Sequence, residues 1–259
     1  MKKKQFIEER REEIVTYLNQ NKRADVAELA DKFDVTDVTI RRDLILLEEE
    51  GRLIRTHGGA MSSIDRAVWE TTNILARLEN ETEAKNQIAM YVAETVKDGD
   101  SLFMDSGSTN LLISRALLSR KRLMVVTNSP TIAQTFAGVN ENSVIITGGT
   151  LDKNTDSIIG PSCIESINRY RTDKAIIGIS GVLIPDGYFG ATPEEAAVKQ
   201  QMMKNAKVAM VVSDSTKIGT TAFAFVQPLL ETDVFVTDSH VKPEYKQAMI
   251  KHGVNIVTV

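Results

Sequence analysis

Asp105-Ser106-Gly107-Ser108-Thr109 stands between an apolar, strand-like segment and a helix that begins near Asn110. Small side chains let backbone N–H groups approach an anion and a helix N-terminus adds a favourable dipole, so this run has the chemistry of a phosphate cradle. Cationic donors are at hand in Lys217, just beyond Asp214, and in Lys199, on the helix opened by Pro193-Glu194-Glu195. Asp105 and Glu194 or Glu195 supply acceptors for sugar hydroxyls. Small or polar tips also follow other apolar segments: Thr127-Asn128, Thr147-Gly148-Gly149, Ser180-Gly181, Ser213-Asp214 and Thr237-Asp238. Ligands of open parallel sheets bind beyond the carboxyl ends of the strands, so the six tips predict one shared pocket.

A second chemistry sits near the start of the chain. On a helical wheel from Asp37, residues Ile40, Leu44 and Leu47 share one side, while Val38, Arg42 and Ile45 project on the other, flanked by Thr39 and Arg41. A short helix with cations and small side chains in its first turns suits the major groove of DNA. There Arg pairs with guanine, and Val38 or the Thr39 methyl meets a thymine methyl. Arg55 and His57, on a β-prone piece ending in Gly58-Gly59, are placed to reach phosphate or the neighbouring minor groove.

Different periods along the chain supply the elements that must position these groups. Apolar residues Ile7, Ile14, Val15 and Leu18 mark a first helix, and Val26, Leu29, Ala30 and Phe33 a second, with Asp25 as N-cap and Glu28 three residues on. A polar break at Asp34–Asp37 precedes the third helix, and Gly51 ends it. Residues 52–59 read as a hairpin with its tip at the paired glycines, and residues 60–77 carry no periodicity and read as linker. From residue 78 helices alternate with apolar strands at 102–104, 123–126, 144–146, 175–179, 208–212, 234–236 and 256–259. Such alternation implies crossover connections and a mainly parallel sheet covered on both faces.

Net charge is −4, and residues 1–60 carry 12 Lys+Arg against 13 Asp+Glu, so a DNA-binding face must come from where charges stand, not from their sum. The single Cys163 excludes an internal disulfide and a cysteine-cluster metal site, which suits a reducing cytoplasm. Glu and Arg occupy residues 8–13, where a signal peptide needs an apolar run, and the uncharged stretch 218–230 is too short to span a membrane. Cys163 reads as a packed small side chain, Trp69 as an anchor between domains, and His240 and His252 lack a metal-ligand constellation. No cofactor is expected.

The run Thr36-Asp37-Val38-Thr39-Ile40-Arg41-Arg42-Asp43-Leu44, followed by Glu49-Glu50-Gly51, Arg55 and His57-Gly58-Gly59-Ala60, resembles the N-terminal signature of the DeoR family of bacterial transcription repressors. Thr36 stands where Ser is more usual, and both residue types cap a helix. The later run Asp105–Thr109, Thr127-Asn128-Ser129, Gly148-Gly149-Thr150, Glu194–Lys199 and Asp214–Lys217 is similar to that family's sensor, itself similar to ribose-5-phosphate isomerase. Ser108 replaces the Thr more often seen there and keeps the hydroxyl.

The resemblance covers essentially the whole chain and implies an α/β protein. A winged helix-turn-helix at 1–59 and a linker at 60–77 precede an effector-sensing, mainly parallel α/β domain at 78–259. By the same resemblance, the Asp105–Thr109 loop and Lys217 hold the phosphate of an effector, with Thr127, Asn128, Gly148, Gly149 and Asp214 among the site residues. The expected function is a cytoplasmic repressor of a carbohydrate-utilisation operon whose partners are operator DNA and a phosphorylated sugar or polyol. A dimer or tetramer is expected, because one short helix reads few bases. The alternative is a sugar-phosphate isomerase using Glu194 or Glu195 as base and Lys199 as the enediolate-stabilising cation; an isomerase has no need of the first sixty residues. A nucleotide-binding fold is disfavoured, because no Gly-x-Gly-x-x-Gly follows a strand.

Overall fold

The computed structural model describes residues 2–21, 23–50, 52–55, 59–62, 78, 82–152 and 155–259, arranged in two compact units, Met1–Thr72 and Asn73–Val259. His57 and Trp69 lie outside the described residues.

In the first unit, α1 (Lys2–Asn21), α2 (Val26–Phe33) and α3 (Asp37–Glu49) bury Ile14, Leu18, Leu29, Ile40, Leu44 and Leu47 against one another. Local chemistry sets the boundaries of the short helices. The Asp25 carboxylate accepts the Glu28 N–H at 2.8 Å, satisfying one of the donors that a helix start leaves open. Asp34 closes α2 in the left-handed conformation (φ 52°), and Thr36 caps α3 by accepting the Thr39 N–H at 3.3 Å. The polar break at Asp34–Asp37 is therefore a C-cap running directly into an N-cap.

Three short strands complete the unit: β1 (Arg23–Asp25), β2 (Leu53–Arg55) and β3 (Gly59–Ser62), in the order β1-β3-β2 with both pairings antiparallel. The hairpin is legible in the sequence, but β1 is not, since three residues carry no alternation. Gly59, read as part of the tip, pairs with Asp25 inside the sheet, and a Cβ there would stand 2.1 Å from the Ala24 carbonyl oxygen. Strand β3 runs three residues past the boundary drawn at 59.

The second unit includes α4 (Thr82–Thr95), followed by β4 (Ser101–Met104), α5 (Ser108–Ala116), β5 (Met124–Thr127), α6 (Pro130–Phe136) and β6 (Ser143–Ile146). A two-strand ribbon, β7 (Thr150–Asp152) and β8 (Ser157–Ile159), leads to α7 (Pro161–Asn168) and β9 (Thr172–Gly178). Then come β10 (Gly181–Leu183), β11 (Gly187–Gly190), α8 (Pro193–Lys204), β12 (Ala206–Val212), β13 (Ala224–Gln227), β14 (Val234–Thr237), α9 (Pro243–Lys251) and β15 (Ile256–Thr258).

All seven strands expected from the apolar runs join one sheet, in the order β15-β14-β12-β9-β4-β5-β6, and every pairing in it is parallel. Alternating residues separate into two cores, as the pleat requires. Phe103, Ile177, Val211 and Phe235 pack with Ala196, Val198 and Met202 of α8. Leu102, Met104, Ile176 and Met210 pack with Ile88 and Val92 of α4 and with Leu111 and Ile113 of α5. Strands β10, β11 and β13 form a separate antiparallel sheet that the apolar runs do not predict.

The chain enters the main sheet at β4, builds outward through β5 and β6, and returns to lay β9 on the other side of β4. Strand order therefore reverses between β4 and β9, and the crevice of such a sheet opens at that switch point. No described helix is long and apolar enough to cross a membrane.

Candidate functional site

In the first unit, α3 presents the expected face. Val38 is 60% exposed, Ile45 38%, Arg41 and Arg42 are exposed, and among the described residues neither arginine makes an ion pair. Asp37 and Thr36 are exposed at the helix start, and the half-buried Thr39 shares a 3.0 Å hydrogen bond with the Thr36 hydroxyl. Arg55 belongs to β2, but its side chain, like the whole of His57, falls outside the described residues. Arg52 at the root of the hairpin pairs with Glu12 of α1 at 2.6 Å, fastening the hairpin to the helices. Asp43 is held through both carboxylate oxygens by Arg10 and Arg11 of α1, a contact that the wheel leaves unmarked.

In the second unit, a cleft opens beyond the carboxyl ends of β4, β9 and β12, three adjacent central strands. Its free space, open solvent at the mouth included, is about 660 Å³. Ser106, Gly107, Ser108 and Thr109 form one wall. Gly107 has φ 119°, a conformation that favours glycine, and α5 starts with no side-chain cap, so its first backbone N–H groups remain without intrahelical acceptors.

Neighbouring side chains fix this loop from behind. Ser106 donates its N–H to Asn128 Oδ1 at 3.1 Å, and Asn110 Nδ2 donates to the carbonyls of Asp105 (2.9 Å) and Ile176 (3.2 Å). Asn110 Oδ1 is buried with no partner among the described residues.

The cations take different roles. Lys199 on α8 donates to Asp105 Oδ2 at 2.5 Å, and the same oxygen accepts the Gly178 N–H at 3.2 Å. Burial pushes the Asp105 carboxyl above its ordinary pKa even though Lys199 pulls it down. Lys217 lies at the end of a 3-10 turn, Ser215–Lys217, which Asp238 anchors by accepting the Ser215 N–H (2.6 Å) and hydroxyl (2.9 Å). Thr216 hydrogen-bonds Asp214, which also lines the cleft. Glu195 is 6% exposed and lines the cleft, with its backbone N–H capped by Thr192 at 3.2 Å.

Several expected residues stand elsewhere. Thr127 and Asn128 end β5 and are buried, with Asn128 bracing the loop instead of lining the cleft. Gly148 and Gly149 are exposed beyond β6; Gly148 donates its N–H to Ser166 Oγ, and Gly149 lies against Ile159. Glu194 is exposed outside the cleft, whereas Glu195 turns inward. Asp105 lies behind the lining, engaged by Lys199. Of the six tips expected to share one pocket, those after β4, β9 and β12 line this cleft, and Asn128 after β5 hydrogen-bonds the first of them from behind.

Lys85 on α4 was missed: it is 4% exposed and lines the cleft. Its spacing to the buried Ile88 and Ala89 puts a lysine on an apolar helical face, a signal the sequence does carry. The Cys163 thiol is buried and donates to Thr147 Oγ1 at 3.3 Å, and burial shifts its pKa up. Among the described residues, no group of three or more His, Cys, Asp or Glu is gathered to hold a metal ion.

The profile of the DeoR-like helix-turn-helix domain matches residues 10–65, and that of the DeoR C-terminal sensor domain matches residues 80–239. The chain is 31% identical over 245 residues to the glycerol-3-phosphate regulon repressor of Escherichia coli, covering 94% of this chain and 95% of that protein. It is 30% identical over 252 residues to the HTH-type transcriptional repressor GlcR of Bacillus subtilis, covering 97% and 96%. Among solved structures, ribose 5-phosphate isomerase A from Methanocaldococcus jannaschii matches 54% of this chain and 55% of that chain at 18% identity and a TM-score of 0.37.

Proposed function

This chain belongs to the DeoR family of DNA-binding transcription regulators, and from that premise we propose that it represses a carbohydrate-utilisation operon under the control of a phosphorylated sugar or polyol held in the cleft of its second unit. The observation that carries the effector half of the reading is the meeting of open backbone N–H groups at the start of α5 with Lys217 across one cleft. Amides and a nearby ammonium suit a phosphate dianion. Glu195 and Asp214 then accept hydroxyl hydrogens along the sugar.

In the first unit the reading gives base edges to Val38, Thr39, Arg41 and Arg42. Thr36, Asp37, Arg55 and His57 go to the helix start and the backbone contacts around it. Two half-sites call for two copies of α3, so the working species is a dimer or tetramer. Such a regulator acts in the cytoplasm, where its operator lies.

The protein is a regulator and not an enzyme: its full-length relatives are transcriptional repressors, and its first described residues fold as a winged helix-turn-helix. Two sites on one chain are coupled only by differential affinity, so an effector that weakens operator binding is itself weakened by DNA to the same factor.

The test takes a duplex selected by the protein from a random-sequence library and a panel of phosphorylated sugars and polyols that includes glycerol 3-phosphate. One member is expected to raise the melting temperature and shift the operator dissociation constant by about 5- to 150-fold. A panel that changes neither quantity would sink the effector half of the reading.

A further inference from the structure

Asp43 follows Arg42 on α3, yet it is only 2% exposed. Arg10 donates from Nε to its Oδ2 at 2.8 Å, with Nη2 of the same guanidinium at ion-pair distance, 2.8 Å, from that oxygen, and Arg11 donates from Nε to Oδ1 at 2.9 Å. Both donors belong to α1, so a carboxylate of the third helix is gripped on both oxygens by the first. The rest of the buried face of α3 is Ile40, Leu44 and Leu47.

These two kinds of contact constrain a helix differently. Apolar packing is non-directional, whereas charge-assisted hydrogen bonds to both oxygens of a carboxylate fix direction. A rotation of α3 by about 20° would carry a side-chain tip standing about 6 Å from the helix axis through about 2 Å. That displacement takes an N–H···O contact out of hydrogen-bond range, on the core side and on the outer side alike. Whatever holds Asp43 therefore aims Arg41 and Arg42, which project from the same turn.

We propose that Asp43, clamped by Arg10 and Arg11, is the positioning residue for base reading: it sets the rotation of α3, so operator discrimination depends on two arginines of α1. The inference rests on the reading of α3 as the groove-entering helix. It separates from a purely structural role by its sign on two kinds of DNA. Neutralising a buried carboxylate adds one positive charge to the unit, which leaves non-specific affinity unchanged or raised, while mis-aimed arginines lose the cognate sequence.

The experiment uses the full chain with Asp43→Asn and, as an apolar variant branched at the same carbon, Asp43→Leu; Arg10→Lys with Arg11→Lys keeps the charge but removes the fork. Each is titrated by fluorescence anisotropy against the library-selected duplex and a scrambled duplex of the same composition, with melting followed by circular dichroism. The folded variants are expected to lose at least about tenfold on the selected duplex and to stay within about threefold, or gain, on the scrambled one. A discrimination ratio within about threefold of the unaltered protein overturns the proposal, and so does an equal loss on both duplexes. If the aspartate variants do not fold, the lysine pair decides the question by the same ratio. Arg42→Ala serves as reference: if it keeps discrimination, the groove-entering reading fails, and if it loses discrimination while the clamp variants do not, only this inference fails.

Discussion

Lys199 Nζ stands 2.5 Å from Asp105 Oδ2, with the two side chains 6% and 2% exposed, so the lysine of α8 is matched to a carboxylate behind the cleft wall and its charge is already compensated. Removing one member of such a pair leaves the other buried and uncompensated. Lys199→Met is expected to cost about 3–5 kcal/mol of unfolding free energy in urea, and combining it with Asp105→Asn should restore most of that. A single-variant loss under about 1 kcal/mol would show that the pair does not support the fold.

Lys217 faces the cleft from a turn that the buried Asp238 anchors. Lys217→Glu is expected to abolish the response to any phosphorylated effector while operator affinity without effector stays within about threefold. A response of unchanged size would move the phosphate site elsewhere.

Lys85 is the cleft lysine contributed by α4. Lys85→Met keeps the length of the side chain in its apolar setting and is expected to weaken effector binding about tenfold or more, read by isothermal titration calorimetry with the best ligand of the panel. Unaltered affinity would confine Lys85 to a packing role.

Gly59 is expected to tolerate no side chain, because a Cβ would stand 2.1 Å from the Ala24 oxygen and break the β1–β3 pairing. Gly59→Ala should destabilise the first unit by about 2 kcal/mol or more, and the second unit should melt as before. Hydrogen exchange at β1 reads this directly: unchanged protection there would contradict the close approach.

Asp238 supplies a pH dependence whose direction follows from its contacts. Burial raises its carboxyl, but the N–H groups of Ser215 and His240 and the Ser215 hydroxyl outweigh it and hold the group below the ordinary value. The unfolded chain therefore binds the proton first, so this stabilisation is complete above about pH 4 and is lost as pH falls through the folded value. Asp238→Asn should flatten the acid side of the stability curve and loosen the Lys217 turn. A curve of unchanged slope would assign the acid sensitivity to other carboxylates.

Much of this molecule is written in local chemistry. Asp25 and Thr36 announce their caps because an N-cap needs only an oxygen at the right position before a helix. The central sheet strands are legible because a strand buried on both faces must be apolar along its length. Asp105–Thr109 reads as an anion loop for the same kind of reason, since φ 119° at Gly107 and an open helix start are properties of neighbouring residues. The three-residue strands β1, β7 and β10 stay silent, being too short to display a period.

What no single stretch could decide is which tips meet. Thr127-Asn128, Thr147–Gly149 and Ser213-Asp214 look alike as sequence, and only the packed sheet makes the last line the cleft, sets Asn128 behind the β4 loop as its brace and leaves Gly148 and Gly149 exposed beyond β6. Likewise Lys199 and Asp105, 94 residues apart, and Asp43 with Arg10, 33 apart, become pairs only when helices pack. Residue type and spacing thus determined the elements and the kind of chemistry they carry. Strand order and helix packing determined which charges are satisfied within the fold and which remain for a ligand, because an ion pair forms between neighbours in space and leaves no periodic trace along the chain.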